Sequence, residues 1–82
     1  MRLDVVINKA SEELKNNHIK SAILDSELLL SKAINKSREF IILNSKHNIS
    51  EKDYHYFQEL IYERSRGKPI AYLTGEKIFL EI

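Results

Sequence analysis

Apolar side chains recur at helical spacing along most of the chain, and their pattern predicts short amphipathic helices. The first stripe covers residues 3–15, where apolar positions fall three or four residues apart. A second predicted helix covers residues 21–34. A third covers residues 38–44 with Ser37 as its cap, but its apolar run is almost continuous, so this window alone also fits a strand.

The clearest helical pattern begins after Ser50, whose hydroxyl is followed three residues later by an acid, as in a capping box. Its apolar stripe, which Arg64 continues, comprises Tyr54, Phe57, Leu60 and Ile61. Gly67 supplies a left-handed stop to this helix. Pro69 then suits the first position of another helix of about one turn, which Gly75 closes.

In the last seven residues, the spacing of the apolar side chains changes from helical to alternating. Ile78, Leu80 and Ile82 lie on one side and Phe79 lies on the other, which is the pattern of a strand. A single strand cannot satisfy its backbone hydrogen-bonding groups. We therefore expect residues 76–82 to be a linker strand whose partner lies on sequence beyond residue 82.

Composition agrees with one small helical domain. The 82 residues include only two glycines and one proline, which favours helices over a fold of many strands. The sequence thus predicts an all-α fold, a bundle of about five short helices that ends in the unpaired linker strand. We place its core around Leu29, Phe40, Phe57 and Ile61.

Charge and hydropathy narrow the classes of partner. The net charge is +1, so no broad positive field attracts nucleic acid. No apolar run approaches the roughly 20 residues that span a bilayer, and the first residues do not follow the pattern of a signal peptide. The sequence therefore favours a cytoplasmic protein that does not enter a membrane.

Residues with catalytic or metal-binding chemistry are scattered. His18, His47 and His55 show no metal-binding spacing, and the chain has no cysteine. Asp25 and Glu27 are two apart, so on a helix they face different directions and do not form an acid/base pair. We expect either carboxylate to cap a helix or bond a neighbouring one.

The glycines and the cations also lack the pattern of a ligand site. Gly67 and Gly75 are eight residues apart, whereas a phosphate-binding loop needs clustered glycines. The basic cluster of residues 64–68 is small for a nucleic-acid site and suits a helix C-terminus. Within it, Arg64 continues the apolar stripe, so its head group is expected to reach a carbonyl or carboxylate under the following turn. The sequence predicts no catalytic, cofactor-binding or metal site.

Two motifs nevertheless match a known family. The first consists of Arg64, Gly67, Pro69, Ala71, Tyr72, Leu73, Thr74, Gly75 and Phe79. The second is Asp-Ser-Glu-Leu-Leu-Leu at residues 25–30, followed by Lys-Ser-Arg at residues 36–38 with Asn35 in place of a glycine. Both resemble the N-terminal domain of the HemK/PrmC family, S-adenosylmethionine-dependent enzymes that methylate the glutamine of the Gly-Gly-Gln loop in peptide chain release factors.

The resemblance implies that a longer protein uses one domain for substrate recognition and another for catalysis. Residues 1–75 would be a helical substrate-recognition domain that binds release factors, and residues 76–82 would start a linker hairpin to a methyltransferase domain that holds S-adenosylmethionine. The family's catalytic Asn-Pro-Pro-Tyr motif does not occur in this sequence. What carries over is an interdomain or linker motif, with Arg64, Gly67, Pro69, Tyr72, Leu73, Gly75 and Phe79 as its residues.

Two other functions stay open at this point. The bundle could be a purely structural module that packs on its own catalytic domain. Residues 64–79 would then determine how the two domains are joined. It could also be a free-standing helical adaptor or nucleic-acid-binding module. The expected partners are release factors and the catalytic domain of the same chain, without direct nucleic-acid contact, in a protein that acts as a monomer.

Overall fold

The computed structural model describes residues 1–75, and this part of the chain is an all-α bundle. Its helices are α1 (Leu3–Asn16), α2 (Ala22–Ile34), α3 (Arg38–Leu43), α4 (Glu51–Ser65) and α5 (Ile70–Thr74). The predicted helical fold and the number of helices are confirmed for these residues. The linker strand expected at residues 76–82 lies outside the described residues.

Helix α2 is the centre of the bundle, because it contacts each of the other four helices. Its Leu29 and Leu30 are completely buried. The buried apolar residues that surround them, mainly on α1 and α4, are Leu3, Val6, Ala10, Leu14, Ala22, Ala33, Ile41, Phe57, Leu60 and Ile61. Three of the four residues placed in the core by sequence, Leu29, Phe57 and Ile61, are therefore confirmed.

The fourth core prediction, Phe40, is wrong. Phe40 is half-buried, and its ring packs edge-on against His47 with centroids 6.1 Å apart. Ile41 is the buried residue of α3 and is 1% exposed. The segment is a helix rather than a strand, and a six-residue helix that packs on α2 buries only one face.

Helix starts follow the predicted hydroxyl caps at two places. The Ser37 hydroxyl accepts a hydrogen bond from the Phe40 backbone N–H at 3.1 Å, and the Ser50 hydroxyl accepts one from the Asp53 N–H at 3.1 Å. Pro69, in contrast, precedes α5 instead of opening it. Its ψ of 141° is extended, so the helix begins one residue later.

Helix α1 starts without a side-chain cap, and its first N–H groups are satisfied by a distant loop. The N–H of Leu3 donates to the His47 carbonyl at 2.9 Å, and that of Asp4 donates to the Ser45 carbonyl at 2.9 Å. The N–H of Ile49 donates back to the Met1 carbonyl at 2.9 Å. The loop between α3 and α4 thus caps the N-terminus of α1.

Candidate functional site

The segment that carries the first family motif forms a joint between α4 and α5, here called the α4–α5 joint and defined as residues 64–75. Its central side chain is Arg64. The Arg64 Nε donates to Asp25 Oδ2 at 2.9 Å, and its Nη1 donates to the Lys68 carbonyl at 3.0 Å. The expectation that the Arg64 head group reaches a carbonyl or carboxylate under the following turn is confirmed by the Lys68 carbonyl, and the Asp25 carboxylate on α2 is a second acceptor.

Asp25 receives this bond in a buried position on α2, where it is 2% exposed. The Ser21 hydroxyl also donates to Asp25 Oδ2, at 3.0 Å. Asp25 therefore bonds a neighbouring helix, and Glu27 does the same through Arg38 of α3 at 2.7 Å, as expected for either carboxylate. Because a buried carboxylate without a partner is costly, the Asp25–Arg64 pair ties the end of α4 firmly to the start of α2.

The backbone of the joint turns at two glycines. Gly67 has φ of +99° after α4, and Gly75 has φ of +83° after α5. No atom lies within 4 Å of a Cβ built at either position, so the requirement for glycine is conformational and not steric. Both glycines are helix stops, as the sequence predicted.

Two side chains near the end of the joint face different surroundings. Tyr72 is 51% exposed, and its ring lies under the ammonium of Lys68, which is 5.0 Å from the ring centroid. Leu73 is half-buried and packs against the core. Six of the seven residues assigned to the linker motif thus belong to one joint, whereas Phe79 lies outside the described residues.

The basic cluster of the joint is occupied by contacts within the domain. Arg64 bonds Asp25, Lys68 forms an ion pair with Glu63 at 3.3 Å, and the Arg66 guanidinium lies 5.5 Å from the centroid of the Tyr62 ring. Each of the three cations thus has a contact within the described domain.

Beside the joint, an open groove of about 620 Å³ runs along the outer face of α4 and ends at α5. We call it the α4 groove. Its lining residues are His55, Tyr56, Gln58, Glu59, Leu60, Tyr62, Glu63 and Leu73. Sequence reasoning did not find this groove, because it forms only when α5 packs against α4. The one signal available was the pair of tyrosines off the apolar stripe.

Among the described residues, a shifted carboxyl pKa occurs at the start of α1. The hydrogen bond from the Arg2 guanidinium, 2.6 Å to Oδ2, lowers the pKa of the Asp4 carboxyl below its ordinary value. That exposed pair belongs to the start of α1, outside the joint. Residues 1–75 contain no group of three His, Cys, Asp or Glu side chains placed to hold a metal ion, and none of their helices is long and apolar enough to cross a membrane.

The sequence comparisons decide the family. The PrmC N-terminal domain profile matches residues 6–75, which include the α4–α5 joint and all of α2, α3 and α4. The chain belongs to the PrmC N-terminal domain family. The Asp25–Arg64 pair therefore joins the two family motifs to each other, across 39 residues of sequence.

Relatives of this PrmC N-terminal domain include two proteins named release factor glutamine methyltransferase. The one from Leptospira interrogans is 38% identical over 74 residues, which cover 90% of this chain and 26% of the relative. The one from Buchnera aphidicola of Acyrthosiphon pisum is 39% identical over 79 residues, 96% of this chain and 28% of the relative. A bifunctional methyltransferase from Rickettsia felis is 35% identical over 74 residues, 90% of this chain and 14% of the relative.

The chain thus spans about a quarter of the length of the first two relatives. No solved structure gives a significant match to it.

Proposed function

We propose that this PrmC N-terminal domain is the substrate-recognition domain of a methyltransferase that modifies the glutamine in the Gly-Gly-Gln loop of peptide chain release factors. The observation that carries the proposal is the family match over residues 6–75, together with relatives named for that activity. We place the catalytic domain after residues 1–75, with residues 76–82 as the start of the linker hairpin, in a cytoplasmic enzyme that acts as a monomer.

The described residues fit a binding role and do not fit a cofactor role. Gly67 and Gly75 both end helices, whereas the family's cofactor loop is glycine-rich and follows a strand. S-adenosylmethionine, which would supply the methyl group, therefore belongs to the catalytic domain in this proposal. No step of the methyl transfer is assigned to residues 1–75.

A separate recognition domain has a clear physical purpose in this reaction. A single glutamine offers little surface, whereas stable protein–protein interfaces bury about 800 Å² on each partner. A second contact surface on the enzyme adds specificity for the whole release factor. It also helps to hold the glutamine amide near the methyl donor, which lowers the entropic cost of the reaction.

The experiment compares the full-length enzyme with a variant that lacks residues 1–75. Transfer to an intact release factor should lose far more kcat/KM than transfer to a short peptide that contains Gly-Gly-Gln. Equal losses on both substrates would contradict a recognition role. Binding of S-adenosylmethionine by the shortened variant shows whether its catalytic domain is still folded, and binding of the release factor to residues 1–82 alone gives a second measurement.

A structural role has one specific observation in its favour. The Asp25–Arg64 pair and the bond from Arg64 to the Lys68 carbonyl fix the turn that connects α4 to α5. We propose that the joint also orients the bundle against the catalytic domain. Changing Tyr72 and Phe79 to Ala in the full-length enzyme should then weaken the coupling between the unfolding of the two domains, and unchanged coupling would remove the basis for this role.

A further inference from the structure

The Asp25–Arg64 pair connects three elements of the bundle. Arg64 lies in the last turn of α4, Asp25 lies in the first turn of α2, and the Lys68 carbonyl belongs to the connection to α5. The Arg64 Nε and Nη1 reach their two acceptors at 2.9 and 3.0 Å, so one planar guanidinium holds both in a fixed geometry. The Arg64 and Asp25 side chains are only 18% and 3% exposed. The turn between α4 and α5 is therefore held from inside the bundle.

Helix α5 has few other contacts that could fix its orientation. It is five residues long, has no side-chain cap at its start and has no fully buried residue. A helix of this length is not stable by itself. Ile70 and Leu73 are partly buried against the core, and such apolar contacts have no preferred direction. The orientation of α5 on α2 and α4 therefore depends on the turn that Arg64 holds.

Stability alone does not explain a buried ion pair at this position. Removing two charges from water is costly, and apolar residues of similar volume often stabilise a fold equally well. An apolar pair, however, would not bond the Lys68 carbonyl and would not select one geometry for the turn. The contact between α2 and α3 differs in this respect, because Arg38 pairs with Glu27 at the surface with its side chain 43% exposed. Directionality is thus the property that the buried pair adds.

We propose that Asp25 and Arg64 are positioning residues of the methyltransferase. Their pair sets the orientation of α5, and α5 in turn sets the position of the bundle relative to the catalytic domain. This inference rests on the proposed function and assigns the orienting role of the joint to one side-chain pair. Two contacts with one release factor reinforce each other only when their spacing matches that factor. A loosened α5 would weaken this reinforcement while the bundle itself stays folded.

The test replaces both charges in the full-length enzyme, with Asp25→Leu and Arg64→Met together. This joint variant keeps most of the buried volume and leaves no unpaired charge, so its melting temperature should stay within a few degrees of wild type. Its kcat/KM for an intact release factor should fall about tenfold through a higher KM, because the two contacts no longer act together. Its kinetics on a short Gly-Gly-Gln peptide should stay as in wild type.

The matched control applies the same changes to the exposed pair, with Glu27→Leu and Arg38→Met together. These substitutions remove the ion pair between α2 and α3 and leave the joint intact. The control should therefore behave as wild type on both substrates.

Hydrogen exchange reports directly on α5 in the same proteins. The Leu73 N–H donates to the Pro69 carbonyl at 3.3 Å, in the first turn of α5. This N–H and its neighbours in α5 should exchange several times faster in the joint variant, whereas the N–H groups of α1 and α4 should exchange at the wild-type rate. A contact that only stabilised the whole bundle would change neither rate at a constant melting temperature.

Arg64→Lys keeps the proposal testable if the joint variant does not fold. An ammonium retains the charge opposite Asp25 but lacks the planar fork that also bonds the Lys68 carbonyl. The kcat/KM for an intact release factor should fall about threefold, with unchanged kinetics on the peptide.

Three results would overturn the proposal in distinguishable ways. If removal of residues 1–75 weakens transfer to the intact factor selectively, but folded Arg64 variants act as wild type, the proposed function stands and the pair is only a stabilising contact. If the Arg64 variants slow transfer to the peptide as much as transfer to the factor, the pair supports the catalytic domain itself. If removal of residues 1–75 affects both substrates equally, the proposed function fails and the positioning role fails with it.

Discussion

The core of the bundle and the α4–α5 joint are held together by different kinds of contact. In the core, apolar side chains such as Leu29 and Phe57 are almost completely buried. In the joint, α5 has no fully buried residue, its Ile70 and Leu73 are only partly buried against the core, and Arg64 adds directional polar bonds. Apolar packing therefore predominates in the core, whereas partly buried apolar contacts and polar bonds share the joint.

The largest loss of stability is expected from a substitution in the core. Leu29→Ala removes a completely buried side chain from the helix that contacts all the others, so it should lower the free energy of unfolding by about 3–4 kcal/mol. Phe40→Ala should cost about half as much, because Phe40 is half-buried. Urea unfolding of residues 1–82 measures both values. Equal losses would mean that α3 contributes to the core as strongly as α2.

The core shows where sequence reasoning succeeds and where it stops. On α4 polar residues divide the apolar ones into short groups three or four residues apart, so the helical period identified Phe57 and Ile61 correctly. On α3 four apolar residues run together, and no period distinguishes them. Ile41 is buried there, while Leu43 is 82% exposed. Only the packing of α3 against α2 decides which of these residues faces inward.

The second prediction concerns the joint. Arg64→Ala should destabilise the domain by about 3 kcal/mol, because it leaves the Asp25 carboxylate buried without its ion-pair partner. Arg64→Lys should recover only part of this loss, because an ammonium lacks the planar fork that bonds Asp25 and the Lys68 carbonyl together. A double-mutant cycle with Asp25→Asn, followed by urea unfolding, isolates the pair.

An exposed ion pair gives the matched control. Arg38 pairs with Glu27 at 2.7 Å, but its side chain is 43% exposed, compared with 18% for Arg64. Arg38→Ala should therefore cost less than about 1 kcal/mol. If Arg64→Ala costs no more than Arg38→Ala, the buried pair does not hold the joint, and the contrast between the two regions disappears.

The sequence predicted that Arg64 would reach a carbonyl or carboxylate and that Asp25 or Glu27 would bond a neighbouring helix, but not that Arg64 and Asp25 would pair with each other. Arg64 was identifiable because a charged residue continues an apolar stripe, and Gly67 because it follows a helix. The partner Asp25 lies 39 residues earlier, and helical spacing does not select it. The carbonyls of Ser45 and His47 that cap α1 are harder still to predict, since every residue has a backbone carbonyl and the sequence gives no sign of its use.

The third prediction separates backbone strain from packing within the joint. Gly67→Ala should cost about 1 kcal/mol, because φ of +99° is unfavourable for a residue with a Cβ, while no atom lies within 4 Å to clash with it. Gly67→Asn should cost less, since asparagine tolerates left-handed backbone, as Asn35 does at φ of +59° after α2. Equal losses in urea unfolding would point to a steric cause.

The smallest expected effect is a gain of stability, from a substitution in the core. Ser26 is completely buried on α2, and its hydroxyl has no hydrogen-bond partner in the described part of the chain. Ser26→Ala removes this unsatisfied group and raises helix propensity, so it should stabilise the domain by about 1 kcal/mol.

Ser11 provides the comparison that makes this last prediction decisive. It is also buried, at 6% exposure, but its hydroxyl donates to the Asn8 carbonyl at 3.1 Å. In Ser11→Ala the lost hydrogen bond offsets the gain in helix propensity, so stability should change little. Thermal melts should then rise by about 4–8 °C for Ser26→Ala and stay constant for Ser11→Ala. A loss of stability on Ser26→Ala would show that its hydroxyl is bonded in the folded domain, and that directional polar bonds support the core as well as the joint.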